Sequence, residues 1–325
     1  IDLDATRPDL EEVRERLALG QDEARAAAVA KRHKLGFRTA RENVSDLVDK
    51  DSFIEYGALS IAAQRRRRSV EDLMVATPAD GMIAGIGTVN AEHFGADDSR
   101  CAVLAYDYTV LAGTQGHMNH KKKDRLFELA AQWEIPTIFF TEGGGGRPGD
   151  VDTDDIVMSW LDLKTFTTWA ELSGIAPRIA VNSGRCFAGN AVVFGCADIT
   201  IATRSSNIGL GGPAMIEGGG LGKYTPDEVG PIDVQTRNGV VDIECEDEAH
   251  ATAVARQVLG FFQGQIKLWA CADQRRLRHH IPQDRLRVYD VRRIISDLAD
   301  ADSMVELRPR YGIGIITAFI RVEGR

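Results

Sequence analysis

Fifteen residues near the start of the chain recur, without a gap, near its end. Residues 41–55 read RENVSDLVDKDSFIE and residues 292–306 read RRIISDLADADSMVE. Arg, Ser, Asp, Leu, Asp, Asp, Ser and Glu coincide at one constant offset, and Val44 and Ile54 meet apolar partners. Each copy then runs on to a β-prone stretch, at 82–89 in one case and 313–322 in the other. A repeat of so long a period constrains the fold more than any local pattern, because it implies two similar domains that open in the same way. Chance similarity between two helix-then-turn segments is the competing reading. On the duplication reading, the 325 residues hold one complete domain and only the opening of another.

Between the copies, short apolar runs alternate with helical patterns. Residues 82–89 and 101–106 are β-prone and are separated by a polar turn around 95–98. The spacing predicts a helix over 117–133, with Leu126, Leu129, Ala130 and Trp133 on one face, stopped by Glu134-Ile135-Pro136. Strands are expected at 137–140, 178–181 and 199–202, with helices near 155–172 and 188–194 between them. That alternation predicts an α/β fold whose parallel strands are covered by helices. Residues 8–34 read as a single charged helix, a solvated segment or a linker.

The net charge of −9 argues against general binding to nucleic acid or an anionic membrane. No apolar run approaches the 18 or so residues of a membrane span, and no signal peptide is visible. Five cysteines without CxxC spacing disfavour a disulfide framework or a structural zinc site. A cytoplasmic protein in a reducing compartment, with no metal, is the expectation.

Two glycine-rich turns carry the chemical interest. Residues 140–149, FTEGGGGRPG, directly follow a predicted buried strand, and glycines there let backbone N–H groups approach a ligand. The run is neither a Walker loop nor a dinucleotide fingerprint, and a flexible turn satisfies it equally well. Residues 182–191, NSGRCFAGNA, join a strand to a helix rich in small residues. Two backbone donors converging there would stabilise an oxyanion, although tight helix–sheet packing explains the same residues. A third run, GLGGP at 209–213, suggests a loop over a ligand or simple mobility. No nucleophile or metal-ligand constellation emerges among the histidines, and His117 and His120 read as surface residues. The cationic runs at 65–68 and 121–123 are either solvated or anchors for phosphates.

These residues resemble a known family, the carboxyltransferase subunits and domains of propionyl-CoA and related acyl-CoA carboxylases. The matching stretches are KLGFRTARENVSDLVDKDSFIEYGAL at 34–59, TPADGMIAGIGTV at 77–89 and YDYTVLAGTQG at 106–116, followed by the two glycine loops. SSNIGLGGP at 205–213 and EVGPIDVQTRNGVVD at 228–242 continue the match. The resemblance implies a crotonase-like (ClpP-like) β-β-α superhelix with a twofold domain repeat. It divides the chain into a charged helical linker (1–33), an N-terminal acyl-CoA domain (34–285) and the start of a C-terminal biotin-side domain (286–325). It also implies carboxybiotin as the carboxyl donor, carried on another domain or subunit, and acyl-CoA as the substrate. The implied partners are biotin carboxylase and biotin carboxyl carrier domains or subunits, in a dimer-built homo-oligomer, a hexamer at full length.

Carried over residue by residue, the family's Asp-Ser-Gly-Gly-Ala-Arg loop falls on Glu142, Gly143, Gly144, Gly145, Gly146 and Arg147. The backbone N–H groups of Gly146 and Arg147 would then hold the enolate oxygen, with Gly143, Gly144 and Gly145 shaping the site. The family's Cys-Ala-Gly-Gly falls on Phe187, Ala188, Gly189 and Asn190, and these last three, with Gly212, are expected against substrate. Glu142, Gly143 and Asn190 depart from the pattern. The carboxylase reading stands beside two alternatives: a biotin-dependent acyl-CoA decarboxylase component, and a non-catalytic assembly module.

Overall fold

The structure, a computed structural model, describes residues 6–152 and 163–325. Its strands in chain order are β1 (Ile54–Glu55), β2 (Met82–Thr88), β3 (Arg100–Tyr106), β4 (Thr137–Phe140), β5 (Arg178–Asn182), β6 (Arg185–Phe187), β7 (Ile199–Thr203), β8 (Asn207–Gly209), β9 (Ile243–Cys245), β10 (Val305–Leu307) and β11 (Thr317–Phe319). Seven of them form one sheet in the order β1-β2-β3-β4-β5-β7-β9. The first two pairings are antiparallel, and every pairing from β3 to β9 is parallel. Strands β3, β4 and β5 are buried almost throughout, as the continuous apolar runs in the sequence require of a sheet covered on both faces. On one face Val103, Ile138, Ile179 and Ile201 pack with Val258 and Leu259 of the helix Glu248–Gly260. On the other, Leu104 and Phe139 meet Leu126 and Phe127 of the helix His117–Trp133, with Trp169 of the helix Thr165–Glu171. The Trp169 indole also donates to the Val193 carbonyl at 2.9 Å, tying that layer to the helix Gly189–Gly195.

The expected helix at 117–133 spans those residues and ends with Glu134 in the left-handed conformation. Of the helix read near 155–172, Thr165–Glu171 is helical, and the part at 155–162 lies outside the described residues. The single helix read at 8–34 is corrected. It is two helices, Pro8–Ala18 and Ala26–Lys34, joined through a 3-10 turn at Asp22–Arg25. The interruption frees the Gly20 carbonyl to accept from Arg41. Nor is this segment a solvated linker, because cations of the 3-10 turn and of the second helix find carboxylates on the main body. Arg25 pairs with Asp107 and donates to Thr109 at 2.7 Å, and the buried Arg32 pairs with Glu142.

The sequence repeat is a structural repeat. Arg41 pairs with Glu55 at 3.0 Å, and the equivalent Arg292 pairs with Glu306 at 2.6 Å. Asp51 and Asp302 both take positive φ, 59° and 58°. Asp49 accepts the amides of Asn90 and Ala91, as Asp300 accepts those of Glu323 and Gly324. The β1–β2 register, Ile54 opposite Ile86, reappears in β10–β11 as Val305 opposite Phe319. So many matched bonds at matched positions exclude chance similarity. The β-prone stretch expected at 313–322 is strand only at Thr317–Phe319, where it meets β10.

The two equivalent ion pairs differ in burial. Arg41 and Glu55 are 18% and 14% exposed, whereas Arg292 is 45% exposed. Removing one partner of a largely buried pair leaves a charge without compensation, but an exposed pair contributes about 0–1 kcal/mol. Arg41→Ala is therefore expected to destabilise the protein by about 2–3 kcal/mol, and Arg292→Ala by less than about 1 kcal/mol. Urea unfolding of the two variants beside the wild type measures the difference.

Candidate active site around two glycine loops

The chain leaves the sheet at the end of β4, where Thr141 opens the first glycine loop. The loop alternates buried and exposed residues, and its buried main-chain amides must find acceptors. The Gly143 amide donates to the Arg185 carbonyl at 2.7 Å, and that of Gly144 to the Ala112 carbonyl at 3.0 Å. The Gly145 amide donates to the side-chain oxygen of Asn190 at 3.2 Å. The Arg147 amide donates to the Gln115 carbonyl at 3.0 Å. Only Gly146 differs: among the described residues its amide has no acceptor. A Cβ placed there would meet nothing within 4 Å.

That open space is a cavity of about 550 Å³, lined by Gln115, His120, Gly146, Arg147, Pro148, Leu163, Phe166 and Gly189. The second glycine loop forms its opposite wall. Gly145, at φ +93°, lies so near it that a Cβ would come within 2.8 Å of Ala188 Cβ. Ala188 itself has φ 50°, a strained value for a residue with a side chain, and its amide donates to the Gly209 carbonyl at 3.1 Å. The amide of Gly189, the next residue, has no acceptor among the described residues.

Several of the residues read from sequence therefore behave differently from expectation. Gly146 and Gly189 line the same cavity. Arg147 is corrected as a backbone donor, since its amide is engaged by Gln115. Its guanidinium is equally occupied: it pairs with the buried Asp80 and donates to the Thr114 carbonyl at 2.8 Å. Asn190 is corrected as a side-chain ligand contact, because it is fully buried and bonded within the fold. Gly143 and Gly144 belong to the loop's frame. Gly212 packs against the Phe187 ring and is not part of the cavity wall.

The cationic run at 121–123 is neither solvated nor a phosphate anchor as a whole. Lys122 donates to the Ala79 carbonyl at 3.1 Å, and the fully buried Lys123 donates to Tyr106 Oη at 2.7 Å and Gln115 Oε1 at 3.2 Å. His120 is buried rather than on the surface, with Nδ1 2.8 Å from Thr165 Oγ1. Burial, assisted by Lys123, pushes its imidazole down to about 2, so the ring is neutral. The run at 65–68 is partly engaged: Asp152 accepts the amides of Arg65 at 2.7 Å and Arg66 at 3.0 Å. Gln115 escaped notice as a single polar residue without a local pattern. Its presence in the stretch YDYTVLAGTQG, which carried part of the resemblance, was the available signal.

Burial also pushes the Lys123 ammonium down to about 7. The unfolded lysine holds its proton to about pH 10, so between about 7 and 10 the unfolded chain binds more protons. Stability from this group therefore rises with pH across that window, and the cost of burying the charge is full below it. Thermal unfolding of the wild type and Lys123→Met at pH 7 and pH 9 checks this. The wild type is expected to gain relative to the variant at pH 9, and a constant difference would mean that the buried amine stays charged.

The profile of the carboxyl transferase domain family matches residues 31–325. The methylmalonyl-CoA carboxyltransferase 12S subunit of Propionibacterium freudenreichii subsp. shermanii is 28% identical, over 97% of this chain and 59% of that protein. The biotin-dependent long chain acyl-coenzyme A carboxylase beta4 subunit of Mycobacterium tuberculosis is 29% identical, over 99% of this chain and 60% of that protein. The chain thus spans about three-fifths of the length of these curated relatives. A solved single-chain, multi-domain long-chain acyl-CoA carboxylase superposes with a TM-score of 0.94 at 57% identity, covering 98% of this chain and 32% of that one. The architecture is the crotonase-like fold that the resemblance implied. With the family profile matching all but its first thirty residues, this chain belongs to the carboxyl transferase domain family.

Proposed function

We propose that this chain holds the acyl-CoA in a biotin-dependent carboxylation, in which a carboxyl group moves from carboxybiotin to the α-carbon of the thioester through an enolate. The observation that carries the reading is the amide of Gly146, which alone in the first loop has no acceptor among the described residues, in a cavity that Gly189 also lines. Two main-chain donors aimed at a thioester oxygen would stabilise it as it gains charge, and they act without reorganising when the charge develops. Pro148, Leu163 and Phe166 give the cavity an apolar wall beside that oxygen.

The donor set suits a neutral carbonyl that becomes partly negative. Arg147, the nearby cation, is neutralised by Asp80, so among the described residues the cavity lining presents no free charge that would favour a carboxylate over a thioester. His120 lines the same cavity, but burial and Lys123 disfavour its protonated form so strongly that it is a weak base for the α-proton. Carboxybiotin, delivered by a carrier domain or subunit, would supply both the carboxyl group and the base. The residues of this chain then position the acyl group, hold its oxygen and keep water away. The implied partners are the biotin carboxylase and biotin carboxyl carrier modules, within a homo-oligomer.

Gly146→Pro in the full-length protein tests the reading, since proline removes the N–H where a Cβ meets open space. Loss of one oxyanion donor is expected to lower kcat by about 10²–10³, assayed in both the carboxylating and decarboxylating directions, with the unfolding temperature unchanged. Undiminished turnover would favour a non-catalytic assembly module.

A further inference from the structure

Asn190 occupies a position where the family pattern has glycine, yet every polar valence of its side chain is used inside the fold. Oδ1 accepts from the Gly145 amide at 3.2 Å and from Gln115 Nε2 at 3.3 Å. Nδ2 donates to the carbonyls of Thr141 at 3.1 Å and Gly113 at 3.3 Å. Two carbonyls facing Nδ2 leave only one orientation of the carboxamide, because a flipped amide would set its oxygen against both. Gln115 is oriented in the same manner. Lys123 donates to its Oε1 at 3.2 Å, which turns Nε2 toward Asn190.

The bond to Gly145 matters most. Gly145 has no other acceptor for its amide among the described residues, and the following peptide is the one whose N–H belongs to Gly146. Holding the Gly145 amide against Asn190 sets the plane of the chain just before that donor. Gly143, a second departure from the family pattern, lies against the same side chain. A Cβ there would lie 2.2 Å from both Asn190 Nδ2 and the Gly113 carbonyl oxygen, so the asparagine and that carbonyl together fill the volume that a side chain at 143 would need.

We infer that Asn190 is a positioning residue: its carboxamide, reaching from the second glycine loop into the first and itself oriented by Gln115 and Lys123, fixes the direction of the Gly146 N–H. This rests on the carboxyltransferase reading and deepens it. Asn190 contacts no ligand, being fully buried, and acts through Gly145 alone.

The test uses the full-length enzyme and three proteins: Asn190→Ala, Gln115→Met and the double variant. Misplacing a donor by about 1 Å can reduce a rate about 10²-fold, so Asn190→Ala is expected to lower kcat by about 10-fold to 100-fold with KM for acyl-CoA changed less than about threefold. A CoA derivative carrying a planar nitronate in place of the enolate should bind more weakly by the same factor as kcat falls. A CoA thioether without the carbonyl should bind as before. Gln115→Met should show a smaller loss, and the double variant no more than Asn190→Ala alone, because both act along one line. Equal weakening of nitronate and thioether, or fully additive losses, would overturn the inference. If Asn190→Ala does not fold, Gln115→Met decides by the same two ligands. An unchanged kcat in Asn190→Ala beside a collapsed kcat in Gly146→Pro would reject the clasp and leave the carboxyltransferase reading standing.

Discussion

Main-chain amides that turn away from a buried strand must each find an acceptor, and the site follows from how that requirement is met after β4. Three separate elements supply acceptors to residues 143–147: the strand β6, the segment between β3 and the helix His117–Trp133, and the helix Gly189–Gly195. Each bond pins one peptide plane. With its neighbours pinned, the Gly146 peptide has little freedom, and the residue lines the cavity. A loop of consecutive glycines, which in isolation would be the most pliable part of the chain, is in this way made rigid from outside.

Buried charge surrounds this site without entering it. Arg147 and Asp80 neutralise each other beneath the loop, and the Asp80 carboxyl also accepts the Asn119 amide at 2.8 Å. Glu142, at the loop's first position, is reached by Arg32 from the helix Ala26–Lys34, with Nη1 to Oε1 at 2.9 Å. Gly184 makes room for that carboxylate, since a Cβ there would lie 2.4 Å from Glu142 Oε1. Such pairs contribute little net stability relative to apolar packing, but breaking one leaves a charge in a medium that solvates it poorly. Their effect is to hold the N-terminal helix and the loop in one arrangement, which is what a preorganised donor requires.

The duplication shows how one local solution is used twice. An aspartate after a helix accepts two amides, a second aspartate turns the chain at positive φ, and an arginine on the helix closes onto a glutamate in the first strand. The second copy repeats each step, from Asp300 through Asp302 to Arg292 and Glu306. Both copies present a short antiparallel pair, and only the first is extended into the parallel sheet among the described residues.

Much of this was legible in the residues. The repeat at 41–55 and 292–306, the helix His117–Trp133 and the strands β2 to β5 all follow from short-range patterns: identities at fixed offset, helical spacing and continuous apolar runs. The two glycine loops could also be named, because glycine there reports close approach of backbone to something. What that something is depends on partners far along the chain. Arg147 is bound to Asp80, Asn190 to Gly145, and Lys123 to Tyr106 and Gln115, and no local pattern specifies such pairings. Whether an amide is free or engaged, and whether a lysine is solvated or sealed, is decided by which distant groups the fold brings within 3 Å or so of it. The sequence by itself determined most of the central strands and helices, the repeat and the family. Only the tertiary structure decided that the Arg147 amide is engaged by Gln115 while that of Gly146 has no acceptor among the described residues.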